Sequence, residues 1–598
     1  MSRAPGRLPS AERTEVHPNF TSKLKRHVES IAPPTRPTLK YYERIANDLL
    51  HAFQTGDGRA MQTVWSHFGH RRTWEAMRRY TLLDLGRTAE AENPNAQITL
   101  AEAQWLVARA HSFGDWNSLA KYLADLPKKP ISIAPKPLRL FLTNPKGAQH
   151  IARPREWEFA ISLLRDGKAS GLDAQGQMND FLLEEISRIE HINSLDLSGS
   201  IEFTDSGARF VAKMPRLERL DLSGTAITDR ALEILRDLKH LKTLNLARTA
   251  ITDAGAASLR FCDTLEEVTL SGTNTGDGPI KALAGKPNLR HFMSGDSVTD
   301  AGIPLLHEFP VFKTWRGGEP SMALLDFRAG PNYLSLRGPF TNKGFAELGE
   351  LDGLYALNVD DRKLAINAAG LAAIVNLPNL GWLAYDATDD AMPPIAAMPK
   401  LRFLMCQDTI AGDDGFVALS QSRSIEYIWG RRCHNLQARG FIALAKMPSL
   451  RALSVSCKNV DDRALSTLPL FPALEELMPM DVPDNGYRHV GKCQNLQSLV
   501  LMYCRDTSDA ATEHIVALSS LRKYFASYTQ ITDRTLELLS QINSLEEITI
   551  YGCPSLTNAG VVALARLPRL RALKITGPKV TSACASAFAP NVGTQFTD

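Results

Sequence analysis

No cysteine precedes Cys262 in this 598-residue chain, and the eight from there onward include no CxxC pair and no Cys/His spacing suited to a metal. A metal site or a disulfide framework is therefore not expected. The opening stretch, MSRAPGRLPSAERTEV, has no apolar core, so it does not read as a secretory signal. No later run is long and apolar enough to cross a bilayer, and no membrane partner is expected. P-loop, HExxH and nucleophile-elbow patterns are all missing, which leaves no catalytic residues and no cofactor to assign. Net charge is only +3, with 22% charged and 44% hydrophobic residues, the balance of an ordinary globular chain.

What the chain does contain is a phrase that returns about every 24 residues. It reads LERLDLSGTAITDRALEIL at Leu217, LKTLNLARTAITDAGAASL at Leu241 and LEEITIYGCPSLTNAGVVAL at Leu545. Its anchors fall at 192, 217, 241, 265, 289, 312, 331, 354, 380, 401, 425, 450, 474, 496, 521, 545 and 570. Only the steps near 312, 331 and 380 break the spacing. In LERLDLSG, Leu220 and Leu222 alternate with Arg219, Asp221 and Ser223, a period of two that predicts a strand with one apolar face. Thr228-Asp229 then supplies helix-capping residues, and Leu232 and Leu235 lie on one helical face. Such a unit cannot bury its leucines alone, so neighbours must stack into an α/β leucine-rich repeat solenoid with strands on one side and helices on the other.

The units resemble cysteine-containing and ribonuclease-inhibitor-like leucine-rich repeats, through Cys553-Pro554-Ser555-Leu556-Thr557-Asn558-Ala559-Gly560 and the ITD phrases at 227–229, 251–253 and 531–533. The resemblance covers roughly residues 170–590 and implies a horseshoe with a parallel sheet on its concave face, gripping another molecule. Cys433, Cys504 and Cys553 share one repeat position, eight residues past the anchor, where Thr225, Thr249, Thr273 and Thr409 stand in other units. Small residues at one position predict buried, reduced thiols and a reducing, cytoplasmic setting.

Residues 1–37 read as a flexible leader, 38–127 as a helical module, 128–155 as a proline-rich linker and 156–190 as a cap on the array. The array itself spans 191–590, with an irregular stretch at 315–339 and a tail at 591–598. In the module, Thr99 and Glu102 form a capping-box pattern and Asp115 is placed to cap a following helix. Residues 108–123, ARAHSFGDWNSLAKYL, resemble the helical module found before bacterial ankyrin arrays. Residues 1–130 carry 19 Lys and Arg against 13 Asp and Glu, and Arg71, Arg72, Arg78 and Arg79 accompany Trp65 and Trp74. That is a weak basic face. Nucleic acid is not the expected partner.

The outward strand positions change character along the array. The first four units present Ser194, Asp196, Arg219, Asp221, Thr243, Asn245, Glu267 and Thr269, with no aromatic side chain. From Leu380 to Leu521, ten of 21 outward positions are aromatic, Met or Val. Trp382, Phe403, Met405, Tyr427, Trp429, Met478, Met480, Met502 and Phe525 are the candidate anchors for a protein or peptide partner, with Arg431 and Glu476 setting its orientation. Asp408, Arg432, His434, Asp481 and Asp484 would form a polar rim. Under this reading Trp429→Ala weakens binding by at least about 2 kcal/mol and leaves the repeat core folded. The competing reading is that the stretch near Trp315–Pro339, or the turn at 478–486, covers these residues, or that a tighter coil lets neighbouring side chains satisfy each other. A non-enzymatic recognition scaffold is the function expected. The alternatives are an inhibitor or adaptor of a partner enzyme, and a small-ligand sensor.

Overall fold

The computed structural model describes residues 39–596, apart from 59, 62, 65–73, 92, 111–114, 126–137, 143–148, 153–156, 316, 318–331 and 360–365. The leader, Trp65, Arg71 and Arg72 thus lie outside the described residues. Two compact units divide the chain, Met1–Ile133 and Ala134–Asp598.

The first unit is helical. Helix Leu39–Thr55 places Tyr42, Ile45, Leu49 and Phe53 on one face by their three- and four-residue spacing. They share a core with Ala103, Leu106 and Val107 of helix Leu100–Ala110. That second helix begins in the expected capping box. The Thr99 N–H donates to Glu102 Oε2 at 2.8 Å, and the Glu102 N–H donates to Thr99 Oγ1 at 3.2 Å. Asp115 likewise caps helix Trp116–Asp125, accepting from the Ser118 N–H at 2.7 Å.

The second unit is an α/β leucine-rich repeat solenoid. Among the described residues one sheet holds twenty strands, of which the eighteen from Ala169–Asp173 to Gly593–Phe596 run parallel in chain order. Within the stretch read as linker, Leu138–Leu142 and Gln149–Ala152 form an antiparallel hairpin, and the first of these strands also pairs antiparallel with Ala169–Asp173. At the other end the tail contributes the last strand, Gly593–Phe596, beside Ala572–Thr576. Sheet edges are thus extended beyond the repeats that the leucine spacing marks. Register is fixed by the buried position of each strand: Leu195, Leu220, Leu244, Val268 and Phe292 lie opposite one another in succession. All are buried in a single core with the return helices.

One anchor is corrected. Residue 312 begins no strand, because Phe312 sits in helix Pro310–Lys313 and is buried there. The strand His291–Met293 pairs directly with Tyr333–Ser335, so the chain makes a helical excursion and rejoins the sheet one place along. Phe312 still serves the core, which is why its spacing resembled a repeat.

Between repeats runs a ladder of carboxylates. In many repeats a threonine caps the helix by accepting a local N–H, as Thr228 does from Arg230. The aspartate after it faces the other way and bonds the next repeat. Asp229 accepts from the N–H and hydroxyl of Thr252 at 2.7 and 2.6 Å, and Asp205 does the same with Thr228 at 2.8 and 2.6 Å. Asp300 keeps this bond to Thr341 across 41 residues, so the excursion leaves the solenoid in step. A glycine three residues past the bonded threonine makes room: a Cβ at Gly255 would come within 2.3 Å of Asp229 Oδ1, and one at Gly560 within 2.3 Å of Asp533 Oδ1.

The Asp300 carboxyl is held below the ordinary carboxylate range, first by the Thr341 N–H. Its folded value lies below its unfolded one, so its contribution is complete above the usual carboxylate range and is lost as pH falls through the depressed value. The melting temperature of the wild type should accordingly fall as pH drops below about 5. Asp300→Asn should show a smaller fall in a melting series at several pH values. An equal fall in both proteins would remove this bond from the account.

Candidate functional site

Strand residues alternate between two clusters. One alternate set joins the helices in the main core; the other forms a second cluster containing no helical residue. The second cluster therefore marks the helix-free face of the sheet. It gathers Trp382, Phe403, Tyr427, Trp429, Met478, Met480 and Met502, with Met405 and Phe525 packed against it. Parallel pairing brings them together, since Trp382, Phe403 and Tyr427 are successive partners, as are Met405 and Trp429. The rings stack along the sheet: Trp382 on Phe403 at 5.9 Å and 19°, and Phe403 on Tyr427 at 5.8 Å and 16°. Tyr333 meets the edge of Trp382 at 5.9 Å across the small Ala356.

These rings and thioethers are packed against one another. Trp382, Phe403, Tyr427, Trp429, Met478, Met480 and Met502 are between 0 and 8% exposed. At a strand spacing of about 4.8 Å, large side chains at the same position on adjacent strands cover each other's faces. Trp315, at the start of the irregular stretch, adds its ring to Tyr355 at 4.3 Å and 14°. Trp429→Ala would open a cavity in this cluster, a cost to stability that the sequence reading did not include. The residues that keep access to solvent are Met405, Arg431, Glu476 and Phe525.

Most of the rim proposed from sequence is engaged within the protein. Asp408 pairs with Arg432 at 3.2 Å, Asp481 accepts from the Ser456 hydroxyl at 2.7 Å, and Asp484 holds the ladder bond to the Ser508 N–H at 3.0 Å. The His434 carbonyl accepts from Asn459 Nδ2 at 2.6 Å. Reading by repeat missed Tyr503, Tyr528 and Tyr551, which stand just beyond the apolar cluster. Tyr503 and Tyr528 are stacked at 5.1 Å and 2°, Tyr528 meets Tyr551 edge-on at 6.1 Å, and the Arg431 guanidinium lies 4.8 Å above the Tyr503 ring. The signal for Tyr503 and Tyr528 in the sequence was a tyrosine where other units carry glycine.

The polar first units use their acids locally. Asp196 and Asp221 accept from the N–H two residues on, at 3.0 and 2.9 Å, closing the turn after each strand. In the helical unit, Arg78 is a core residue: it is 7% exposed and donates to the carbonyls of Phe53, Pro94 and Ala96, each at 2.8 Å. Its ring partner is Phe53 at 4.4 Å. That takes Arg78 out of the basic face.

All eight cysteines are free and buried. Burial pushes the Cys433 thiol well above its ordinary range and the Cys493 thiol up to about 12, so neither forms a ready thiolate. Cys553 bonds the Thr529 hydroxyl at 3.2 Å, while Thr225 and Thr249, in the same repeat position, donate to backbone carbonyls at 2.7 Å. Among the described residues no cluster of His, Cys, Asp and Glu is placed to hold a metal, and no helix is long and apolar enough to cross a membrane.

A family described as leucine rich repeat matches residues 237–259. No curated protein matches the chain. Among solved structures, the Rad7–Elc1 complex of yeast is 15% identical, with 74% of this chain and 92% of that one covered at a TM-score of 0.35. An internalin of Listeria monocytogenes is 16% identical, with 74% and 95% covered at 0.25. Likenesses this loose speak to no ligand. On the recurring LxxLxL phrase and the parallel ladder it builds, the second unit has the leucine-rich repeat fold, and the family model matches one stretch of it, residues 237–259.

Proposed function

We propose that this chain is a non-enzymatic scaffold that recognises a protein or peptide on the helix-free face of its sheet. The supporting observation is that large apolar side chains concentrate on that face between Tyr333 and Phe525, although strand formation needs none there. Because the buried rings and thioethers hold one another in place, they form a stiff floor, which lowers the ordering cost of association. Met405, Phe525, Arg431 and Glu476 stand on this floor with access to solvent, and they are the contacts assigned to the partner. Trp382, Phe403, Tyr427, Trp429, Met478, Met480 and Met502 act by supporting them. No second reading is favoured by a specific observation.

A photo-crosslinking amino acid placed at Met405 or Phe525 should give a discrete adduct in extract of the source cell. The same group at Arg439, on helix Ala438–Leu444, should not. An adduct from Arg439 alone would move the interface to the helices. With the partner in hand, Phe525→Ala should weaken binding by about 1–2 kcal/mol.

A further inference from the structure

In many repeats the residue just past the strand takes a left-handed backbone. Gly199, Gly224, Gly272 and Gly552 fill that place at φ between 67 and 74°. Tyr503 and Tyr528 occupy it at 56° and 54°, a conformation that strains any residue with a Cβ. Arg248 and Asp481 hold the same place at 58° and 61°, so the conformation belongs to the repeat and the ring belongs to these two units. A Cβ on Gly552 would lie 2.7 Å from Tyr528 Cε1, so that glycine clears the space the ring fills. Tyr503 lies flat on Tyr528, and Arg431 lies over Tyr503.

Arg431 is the arginine that lies over the Tyr503 ring. Its Nε is buried without an acceptor, as are those of Arg337 and Arg505, and among the described residues no carboxylate or carbonyl accepts from the Arg431 guanidinium. Asp408, the acid in its field, is paired with Arg432. Arg505 adds positive charge within reach of Tyr503 and Tyr528. A ring face repays only part of what the half-buried guanidinium loses, because its buried Nε–H still wants an acceptor. Strained rings that hold up a cation with no acceptor are what a binding site shows when its anion is away.

We infer that Arg431, seated on the Tyr503–Tyr528 stack, is the receptor for a carboxylate of a bound peptide. A planar two-oxygen group matches the guanidinium fork, and the tyrosine rings shield the pair from water. The carboxylate comes from an Asp or Glu side chain or from a chain terminus. This assignment rests on the peptide-recognition reading of the helix-free face and gives it a chemical preference.

The test equilibrates the immobilised full chain with a pool of random synthetic octapeptides, made once as free acids and once as C-terminal amides. Bound peptides are identified by mass spectrometry. The wild type should enrich acid-containing amides if a side chain is taken, or free acids alone if a terminus is taken; either supports the site. Arg431→Gln should lower that enrichment about tenfold or more. Its melting temperature should be unchanged or higher, since an unmatched charge is removed. Arg431→Lys keeps the charge without the fork and should also bind less well. Enrichment indifferent to carboxylates, or undiminished in Arg431→Gln, overturns the site and leaves the face intact. A lower melting temperature in Arg431→Gln makes the arginine structural and overturns the site as well. No enrichment by any protein removes the peptide reading and this site together.

Discussion

Trp429→Ala is expected to cost about 3–5 kcal/mol of folding stability, the range for emptying a large buried aromatic site. Trp429 is 5% exposed and belongs to the cluster with Tyr427, Met405 and Met478. Neighbouring strands cannot close the gap, because their spacing is fixed by backbone hydrogen bonds from Tyr427–Gly430 to Phe403–Met405 and Ala452–Ser456. Chemical denaturation followed by circular dichroism reads the loss. Phe525→Ala, at a partly exposed position, should cost clearly less. Equal losses at the two sites would mean that the cluster is looser than its packing implies. The comparison matters for function, since a binding defect in Trp429→Ala would report a disturbed floor before it reported a lost contact.

Asp509→Ala should cost about 3 kcal/mol, more than truncation of an exposed aspartate. The Asp509 carboxylate takes the N–H and hydroxyl of Thr532 at 2.8 and 2.6 Å and the hydroxyl of Thr535 at 2.7 Å. Removing it leaves those donors without their acceptor at the joint between two repeats. Repeat stability depends on nearest-neighbour terms, so the damage should appear as separated unfolding of the two sides. Hydrogen exchange should show protection lost first in Asp533–Leu539 and the strand after it. A single cooperative transition with unchanged midpoint would show that packing alone carries the joint. Asp509→Asn keeps an acceptor oxygen and should fall between.

The repeat was legible because its leucines encode two periods at once, two in the strand and about 3.6 in the helix. Leu220 and Leu232 declare their faces without help from elsewhere, and both are buried as that pattern requires. The N-terminal capping box was equally local, four residues read in order. Phe312 shows where this reasoning stops. An apolar residue at the right interval fills the core from a helix as well as from a strand, and only pairing of His291–Met293 with Tyr333–Ser335 decides between them. The ITD phrase was legible as a cap through Thr228, yet the inter-repeat duty of Asp229 depends on a threonine 23 residues away.

The candidate face divides the same way. Sequence alone determined that Trp382, Phe403, Tyr427 and Trp429 share one side of one sheet, because alternation within each unit places them there. Tertiary structure decided that these rings bury each other while Met405, Arg431, Glu476 and Phe525 keep access to solvent. Exposure depends on what stands on the neighbouring strands, and no local pattern records it. Tertiary structure also brought Arg431 over Tyr503, 72 positions along the chain, through strands whose spacing is set by hydrogen bonds common to every sequence.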